Sequence, residues 1–297
     1  MNSPKLPGID LRALEQLLAE VMGRPLWVTG TVALGESSRA TPWRIDVDFG
    51  GEPGACLVRY GESVSRNEVV ALRAMSQHPI PTPMVLYWDE SGKALGTPIF
   101  VSELIDGTPL LPAMTAGEEW AIDLYIDTAC ALQAIRAEDL PSGITELLGA
   151  GESVRDVIDA AYQRFPDREP LADESYRALI DRQPQLPETT FSNGDLWPEN
   201  LLVRDRRLVG VIDWQHAGWS DPIFEFLLPF FLVPDLRNRG IEARYCERQG
   251  FDPASLDWYH GVEYFDSLSF VLKTGEPYEM HTAESLRKDL ERWLRVG

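Results

Sequence analysis

The stretch from Phe191 to Gly218, FSNGDLWPENLLVRDRRLVGVIDWQHAG, decides how this chain folds and what chemistry it can perform. Two short apolar segments, NLLV and LVGVI, are joined by the charged sequence RDRR, and this pattern predicts a β-hairpin. Asn200 stands at the start of the first apolar segment, and Asp213 follows the second. Because a hairpin brings its two ends side by side, we expect Asn200 and Asp213 to lie close together.

Asp195 lies in the loop that leads into the hairpin, five positions before Asn200. These three residues are either ordinary turn and cap residues or the groups that bind a metal ion and a phosphate. Two unit charges about 4 Å apart repel by about 4 kcal/mol at an effective dielectric constant of about 20. A magnesium ion reverses that sign, and it prefers a few protein oxygens together with phosphate oxygens. In this interpretation Asn200 and Asp213 hold magnesium, and Asp195 accepts a proton from a hydroxyl group.

The order of these residues is the order of a known catalytic loop. Asp195, Asn200, an apolar hairpin and Asp213 follow one another as in the catalytic loop and metal-binding aspartate of protein kinases. The fuller sequence, NGDLWPENLLV followed by GVIDWQHAGWSDP, resembles the aminoglycoside phosphotransferase and choline kinase-like family more closely. The resemblance implies that Asp195 is the catalytic base and that Asn200 and Asp213 are magnesium ligands.

The sequence departs from the family pattern at Asn193, where the family usually has a histidine that braces the catalytic loop. An amide side chain can also donate and accept hydrogen bonds. We therefore expect activity to be lowered at most, although the substitution leaves room for a degenerate member of the family.

The resemblance extends to the first third of the chain. CLVRY places Arg59 where the family has a strand cation for the nucleotide phosphates, and SRNEVVALRAM places Glu68 where it has the partner acid. The alternative is an ordinary surface ion pair. FVSELIDGTPL resembles the segment that binds adenine, which implies that the backbone at Glu103 and Ile105 pairs with the base. An edge strand that runs into a turn fits those residues equally well.

Two further features each allow two interpretations. TGTVALGESSRATPW, with Gly30 and Gly35, is either a loop that covers phosphates or an ordinary hairpin turn. Asp257, Glu263 and Asp266 in DWYHGVEYFDSLSF either hold an ammonium group of the substrate or are solvated acids on a helix.

The periodicity of apolar residues indicates an α+β protein. WRIDVDF at residues 43–49 alternates as a half-buried strand does, and similar segments precede and follow it, with one helix near residues 64–77. After Asp106 the pattern is mainly helical, beginning with a helix capped by Thr115 and running to about Ala137. Further helices are predicted near residues 152–164, 171–182, 221–232, 254–271 and 282–295.

These elements and the resemblance together predict a two-lobed, protein kinase-like fold. Residues 1–106 form an N-terminal nucleotide-binding lobe, an antiparallel sheet with a helix. Residues 107–297 form a mainly helical C-terminal lobe that carries catalysis and substrate binding.

Composition limits the partners of the chain. There are 47 acidic and 27 basic residues, a net charge of −20, which argues against a nucleic-acid partner. The acidity suits a cationic substrate, and it suits plain solubility equally well. Three scattered cysteines predict neither a disulfide framework nor a metal site, so a reducing cytoplasm is the expected location. The most apolar run, residues 226–233, is shorter than the roughly 20 residues of a membrane span, and no signal peptide is indicated.

The expected function is an ATP- and magnesium-dependent phosphotransferase, with GTP as an alternative nucleotide and a small-molecule hydroxyl group as acceptor. An aminoglycoside, another amino sugar, choline, homoserine and a macrolide all remain open as acceptors. Two rival functions are a non-catalytic, nucleotide-binding pseudokinase and a metal-dependent phosphate-ester hydrolase. A pure nucleotide binder has no need of the base Asp195, and the hydrolase accounts less well for Arg59 and Glu68. The sequence does not indicate an oligomeric state.

Overall fold

The computed structural model describes residues 5–34, 42–149, 153–166, 169–237 and 239–296. The chain forms two compact units, each built from several segments. One unit comprises Met1–Pro109, Leu140–Leu147 and Asn200–Ala217, and the other comprises Leu110–Asp139, Leu148–Glu199 and Gly218–Gly297. The hairpin of the quoted stretch thus belongs to the first unit, and the loop that carries Asp195 belongs to the second. The lobe boundary placed at residues 106 and 107 stays a prediction.

The first unit contains the antiparallel sheet that the alternating pattern predicts. Its order is β1-β2-β3-β5-β4. Strand β2 buries Ile45 and Val47 and directs the intervening charged side chains away from the core, as a half-buried strand does. The five strands are β1 (Trp27–Ala33), β2 (Trp43–Asp48), β3 (Pro53–Tyr60), β4 (Val85–Asp89) and β5 (Ile99–Glu103).

Two helices accompany this sheet. Helix α1 (Leu11–Met22) begins at Asp10, whose side chain accepts a hydrogen bond from the Arg12 N–H, and it ends at Gly23 with φ 68°. Its buried leucines pack with the inward side chains of β1, β2, β3 and β5 in one core. Helix α2 (Arg66–Met75) begins at Ser65, which caps the Glu68 N–H. This helix places Glu68 in its first turn.

The predicted hairpin is confirmed and extends to a third strand. Strand β6 (Thr108–Pro109) pairs with β8 (Leu201–Arg204), which pairs with β9 (Arg207–Val211). The two residues that join β8 to β9, Asp205 and Arg206, have φ values of 52° and 61°. Positive φ at both central residues is the geometry of a type I′ turn, whose twist matches that of the flanking strands.

The second unit is mainly helical, as predicted, but the first helix differs from expectation. Thr115 does not cap it: Thr115 ends the short helix α3 (Leu111–Thr115), and α4 (Glu119–Gln133) begins after Glu118. Gly117 separates the two at φ 77°, a left-handed conformation that a helix cannot contain. Helix α5 (Ile144–Leu148) belongs to the first unit except for its last residue. The other helices of the second unit are α6 (Val154–Arg164), α7 (Pro170–Asp181), α8 (Pro222–Leu232), α9 (Ile241–Gln249), α10 (Leu256–Thr274) and α11 (Ala283–Val296).

Helix α8 occupies the core of the second unit. Asp221 caps it: Oδ1 accepts hydrogen bonds from the Ile223 and Phe224 N–H groups at 2.9 and 3.0 Å. Oδ2 accepts the Tyr259 hydroxyl at 2.8 Å, which ties α8 to α10. A two-stranded sheet, β7 (Thr190–Ser192) with β10 (Gly218–Ser220), precedes the helix. Within the described ranges, no helix is long and apolar enough to cross a membrane.

We expect Gly261→Ala to lower the free energy of unfolding by roughly 1–3 kcal/mol, the usual cost of overpacking a core. A Cβ at this position of α10 would overlap the indole of Trp293 on α11, a ring that is 5% exposed. Urea denaturation measures the change, and Lys273→Ala, at an exposed position of α10, is the control. Equal stability of both variants would show that α11 does not pack on α10 through this glycine.

Candidate active site

The hairpin brings Asn200 and Asp213 to the same end of one β-ribbon. Leu201 pairs with Val211, and the Ile212 N–H donates to the Asn200 carbonyl at 2.9 Å. Asp213 follows at φ 57°, a left-handed conformation that costs a non-glycine residue about 1–2 kcal/mol. Such conformations persist where the surrounding contacts determine them, and they cluster at functional sites.

Two neighbours of Asp213 fix the segment that follows the hairpin. The Trp214 side chain is fully buried, and its Nε1 donates to the Val211 carbonyl at 2.8 Å. Gln215 Nε2 donates to Asp213 Oδ1 at 2.9 Å. Gln215 was not among the residues predicted from the sequence. The available signal was its position, since it is an amide residue two positions after a candidate metal ligand.

Asp195 lies in a loop of the second unit that is held through its backbone. Asn193 is fully buried, and its Nδ2 donates to the Asp195 carbonyl at 2.9 Å. The Trp197 N–H donates to the same carbonyl at 2.7 Å. The Tyr125 hydroxyl donates to the Leu196 carbonyl at 2.9 Å. The amide at position 193 therefore braces this loop by a hydrogen bond.

A carboxylate that the sequence reasoning missed supports the same loop. Glu225, in the first turn of α8, accepts hydrogen bonds from the hydroxyls of Ser192 and Ser220, the latter at 2.6 Å. Ser192 in turn accepts the Gly194 N–H at 2.9 Å. Desolvation raises the pKa of Glu225, and the two hydroxyl groups oppose that rise. A charged residue inside the otherwise apolar sequence PIFEFLLPFFL was the available signal.

The structure brings Arg59 and Glu68 together as a buried pair, so the surface ion-pair interpretation is wrong. Arg59 Nε lies 3.4 Å from Glu68 Oε2, and the two residues are 8% and 5% exposed. Both atoms lack a hydrogen-bond partner among the described residues. Desolvation raises the pKa of Glu68 to about 7, Arg59 opposes the rise and the charge of Asp213 adds to it. Arg59, Glu68 and Asp213 therefore share one electrostatic environment.

Glu103 and Ile105 lie at the end of β5 and just after it. The Glu103 N–H donates to the Met84 carbonyl at 2.9 Å, so that donor is committed to the sheet. The Ile105 side chain packs on Gly210, where a Cβ would come within 2.8 Å of Ile105 Cδ1. Of the glycine-containing loop, Gly30 lies in β1, and Gly35 falls outside the described residues.

The three acids of α10 occupy different environments. Asp257 is exposed and solvated, whereas Asp266 forms an ion pair with Arg164. Glu263 is 3% exposed, and its Oε1 has no hydrogen-bond partner among the described residues. Desolvation, followed by the charge of Asp266, raises the pKa of Glu263 to about 8.

The pKa of Tyr278 responds to two of these acids and to Asp195. Its pKa is raised to about 12 by desolvation and then by the negative charges of Glu263, Asp266, Glu279 and Asp195. The charges of Glu263 and Asp195 thus both act on this one phenol of the second unit.

Comparison with known sequences identifies the family. The sequence profile described as the phosphotransferase enzyme family matches residues 59–259, more than half of the chain. The chain belongs to this family. The matched region contains Arg59, Glu68, Asp195, Asn200 and Asp213.

Individual relatives are distant. An aminoglycoside 3′-phosphotransferase of Niallia circulans is 24% identical over 198 residues, which cover 65% of this chain and 74% of that protein. Acyl-CoA dehydrogenase family member 10 of Mus musculus is 22% identical over 246 residues, covering 72% of this chain. The chain spans about a quarter of that mouse protein, since the match covers 23% of it.

A solved structure shows the same fold. It is a thermostable mutant of aminoglycoside phosphotransferase APH(4)-Ia in ternary complex with ADP and hygromycin B. It superposes with a TM-score of 0.63 and 19% sequence identity, covering 96% of this chain and 99% of that one. This likeness confirms the predicted α+β fold.

The raised pKa of Glu263 predicts a dependence of stability on pH. Its folded-state pKa of about 8 exceeds the ordinary value of 4.5, so the folded protein holds a proton that the unfolded chain releases. The resulting stability is fully present below pH 4.5 and is lost as the pH rises through about 8. Glu263→Gln removes this titration, so its stability relative to the parent should rise by up to about 1.4 kcal/mol per pH unit within that window.

Urea denaturation at intervals between pH 5 and pH 8 measures this difference. Asp257→Asn, an exposed acid of the same helix, is the control and should run parallel to the parent. Parallel curves for the parent and Glu263→Gln would contradict the assignment.

Proposed function

We propose that this chain is a magnesium-dependent kinase that transfers the γ-phosphate of ATP to a hydroxyl group of a cationic small molecule. The observation that best supports the proposal is the hairpin. Its two strands bring the amide of Asn200 and the carboxylate of Asp213, two groups whose oxygens can bind a metal, to one end of a β-ribbon. Membership in a family of phosphotransferases supports it. ATP is the expected donor, with GTP as the alternative.

Arg59 and Glu68 suit the binding of nucleotide phosphates. A buried ion pair is costly unless further hydrogen bonds satisfy its atoms, and Arg59 Nε has no such partner among the described residues. A guanidinium forms strong, directional hydrogen bonds with phosphate oxygens. In the proposal Arg59 binds the phosphates and Glu68 orients Arg59. The carbonyl of Glu103, whose N–H is committed to Met84, and the backbone of Ile105 pair with adenine.

Asn200 and Asp213 would hold the magnesium ion. Within the described residues no group of three or more histidine, cysteine, aspartate or glutamate side chains could hold a metal. Two protein oxygens nevertheless fit magnesium, because it commonly takes its other ligands from phosphates and water. When bound, the ion neutralises charge on the transferred phosphate.

Asp195 is the proposed base. Its carboxylate accepts the proton of the acceptor hydroxyl as that oxygen forms its bond to the γ-phosphorus, and the bond from phosphorus to the departing ADP oxygen breaks. Asn193, Tyr125 and Glu225 hold the loop by the hydrogen bonds described above. Their part is to fix the direction of the base before the acceptor arrives.

The acceptor site is proposed to favour a cation. Glu263 is 3% exposed, and its Oε1 has no hydrogen-bond partner among the described residues. An ammonium group that reached Glu263 would offset the cost of burying its charge. The hygromycin B complex of the structural neighbour supports an aminoglycoside or another amino sugar as the first acceptor class to screen. Use of ATP suits the cytoplasm, which we propose as the location.

The test of the base is Asp195→Asn. We expect kcat for acceptor-dependent ADP formation to fall by about 10²–10⁴-fold, because proton transfer from the hydroxyl is lost. Affinity for a non-hydrolysable ATP analogue should stay near the parent value, as calorimetry can measure. Asp181→Asn, an exposed acid at the end of α7, is the control. A variant that turns over at the parent rate would exclude Asp195 as the base.

A further inference from the structure

Helix α2 is tied to the segment that follows Asp213 by one side chain. Asn67 Nδ2 donates to the Gln215 carbonyl at 3.0 Å and to the Ala217 carbonyl at 2.9 Å. Carbonyl oxygens only accept hydrogen bonds, so the chemistry of the partners fixes the orientation of the amide. Both hydrogens of the Asn67 amide are thereby committed to one short segment.

That segment is linked in turn to the carboxylate of Asp213. The main-chain oxygen of Gln215 is held by Asn67, and the side-chain Nε2 of the same residue donates to Asp213 Oδ1 at 2.9 Å. The Ala217 N–H donates to the Trp214 carbonyl at 3.1 Å and closes the turn. Two hydrogen bonds, joined through the covalent structure of Gln215, thus form a path from Asn67 of α2 to Asp213, all within the first unit.

We infer that Asn67 and Gln215 are positioning residues that set the direction of the Asp213 carboxylate toward its cation. This inference rests on the proposed function, in which Asp213 is a magnesium ligand. The left-handed backbone at Asp213 has to be maintained by its surroundings, and the clamp on residues 215–217 supplies such a constraint. Hydrogen bonds to a ligating carboxylate commonly decide how well it holds its metal.

The same turn of α2 also positions a second part of the site. Asn67 is followed immediately by Glu68, which pairs with Arg59. The first turn of α2 therefore orients both the phosphate-binding cation and the metal-binding carboxylate. A displacement of this turn would change both groups together.

The experiment compares Asn67→Ala, Gln215→Ala and the double variant with the parent protein. Binding of Mn²⁺ in the presence of a non-hydrolysable ATP analogue is measured by electron paramagnetic resonance. We expect each single variant to bind Mn²⁺ about 10–100-fold more weakly, the usual effect of removing such a support. The double variant should be little weaker than the weaker single variant, because both residues act through one path.

Controls separate positioning from folding. Arg66→Ala, an exposed neighbour on α2, should bind Mn²⁺ as the parent does. Gln215→Ala leaves the clamp of Asn67 on backbone carbonyls in place, so it keeps the test valid if Asn67→Ala does not fold. The apparent Mg²⁺ requirement for activity should rise in step with the loss of Mn²⁺ affinity, while KM for the acceptor stays constant.

Asp213→Ala distinguishes failure of the inference from failure of the proposed function. If it abolishes Mn²⁺ binding while both single variants keep the parent affinity, the positioning role is refuted and the metal site stands. If Asn67→Ala has lowered thermal stability but binds Mn²⁺ with the parent affinity, Asn67 stabilises the fold and does not position Asp213. If Asp213→Ala itself binds Mn²⁺ normally, the metal site and the positioning role both fall.

Discussion

The hydrogen bond from the Ile212 N–H to the Asn200 carbonyl, 2.9 Å long, is the constraint on which the site depends. It closes the open end of the β8–β9 hairpin and so fixes Asn200 against the residue before Asp213. The opposite end is closed by the two left-handed residues Asp205 and Arg206. Between these ends the register shifts once, between Leu202 and Val203. The pairing of Leu201 with Val211 determines where the two proposed metal ligands stand.

The first unit contains charged side chains that are buried away from water. Arg59 and Glu68 are nearly buried, and the charge of Asp213 acts on Glu68 strongly enough to contribute to its raised pKa. Removing charges from water costs several kcal/mol per ion, and an imperfect ion pair does not recover all of it. A protein tolerates such an arrangement when function requires it. In the proposed function, the phosphates of a bound nucleotide would supply the missing partner of Arg59.

Sequence reasoning succeeded where the signal is local. The β8–β9 hairpin and the half-buried strand β2 each follow from a few adjacent residues, and the structure shows both of them. It failed where the deciding contact is distant. Ser192 and Glu225 are 33 positions apart, and Asn67 and Gln215 are 148 apart, so neither partnership leaves a pattern in the sequence. Thr115 is a residue type that often caps a helix, but the left-handed backbone at Gly117 interrupts the helix, so α4 begins after Glu118.

The most direct measurement is the anomalous scattering of Mn²⁺ in crystals grown with a non-hydrolysable ATP analogue. We expect a peak about 2.0–2.2 Å from the side-chain oxygens of both Asn200 and Asp213, next to the nucleotide phosphates. Bound nucleotide with manganese on other residues, and with Asn200 and Asp213 directed elsewhere, would contradict it.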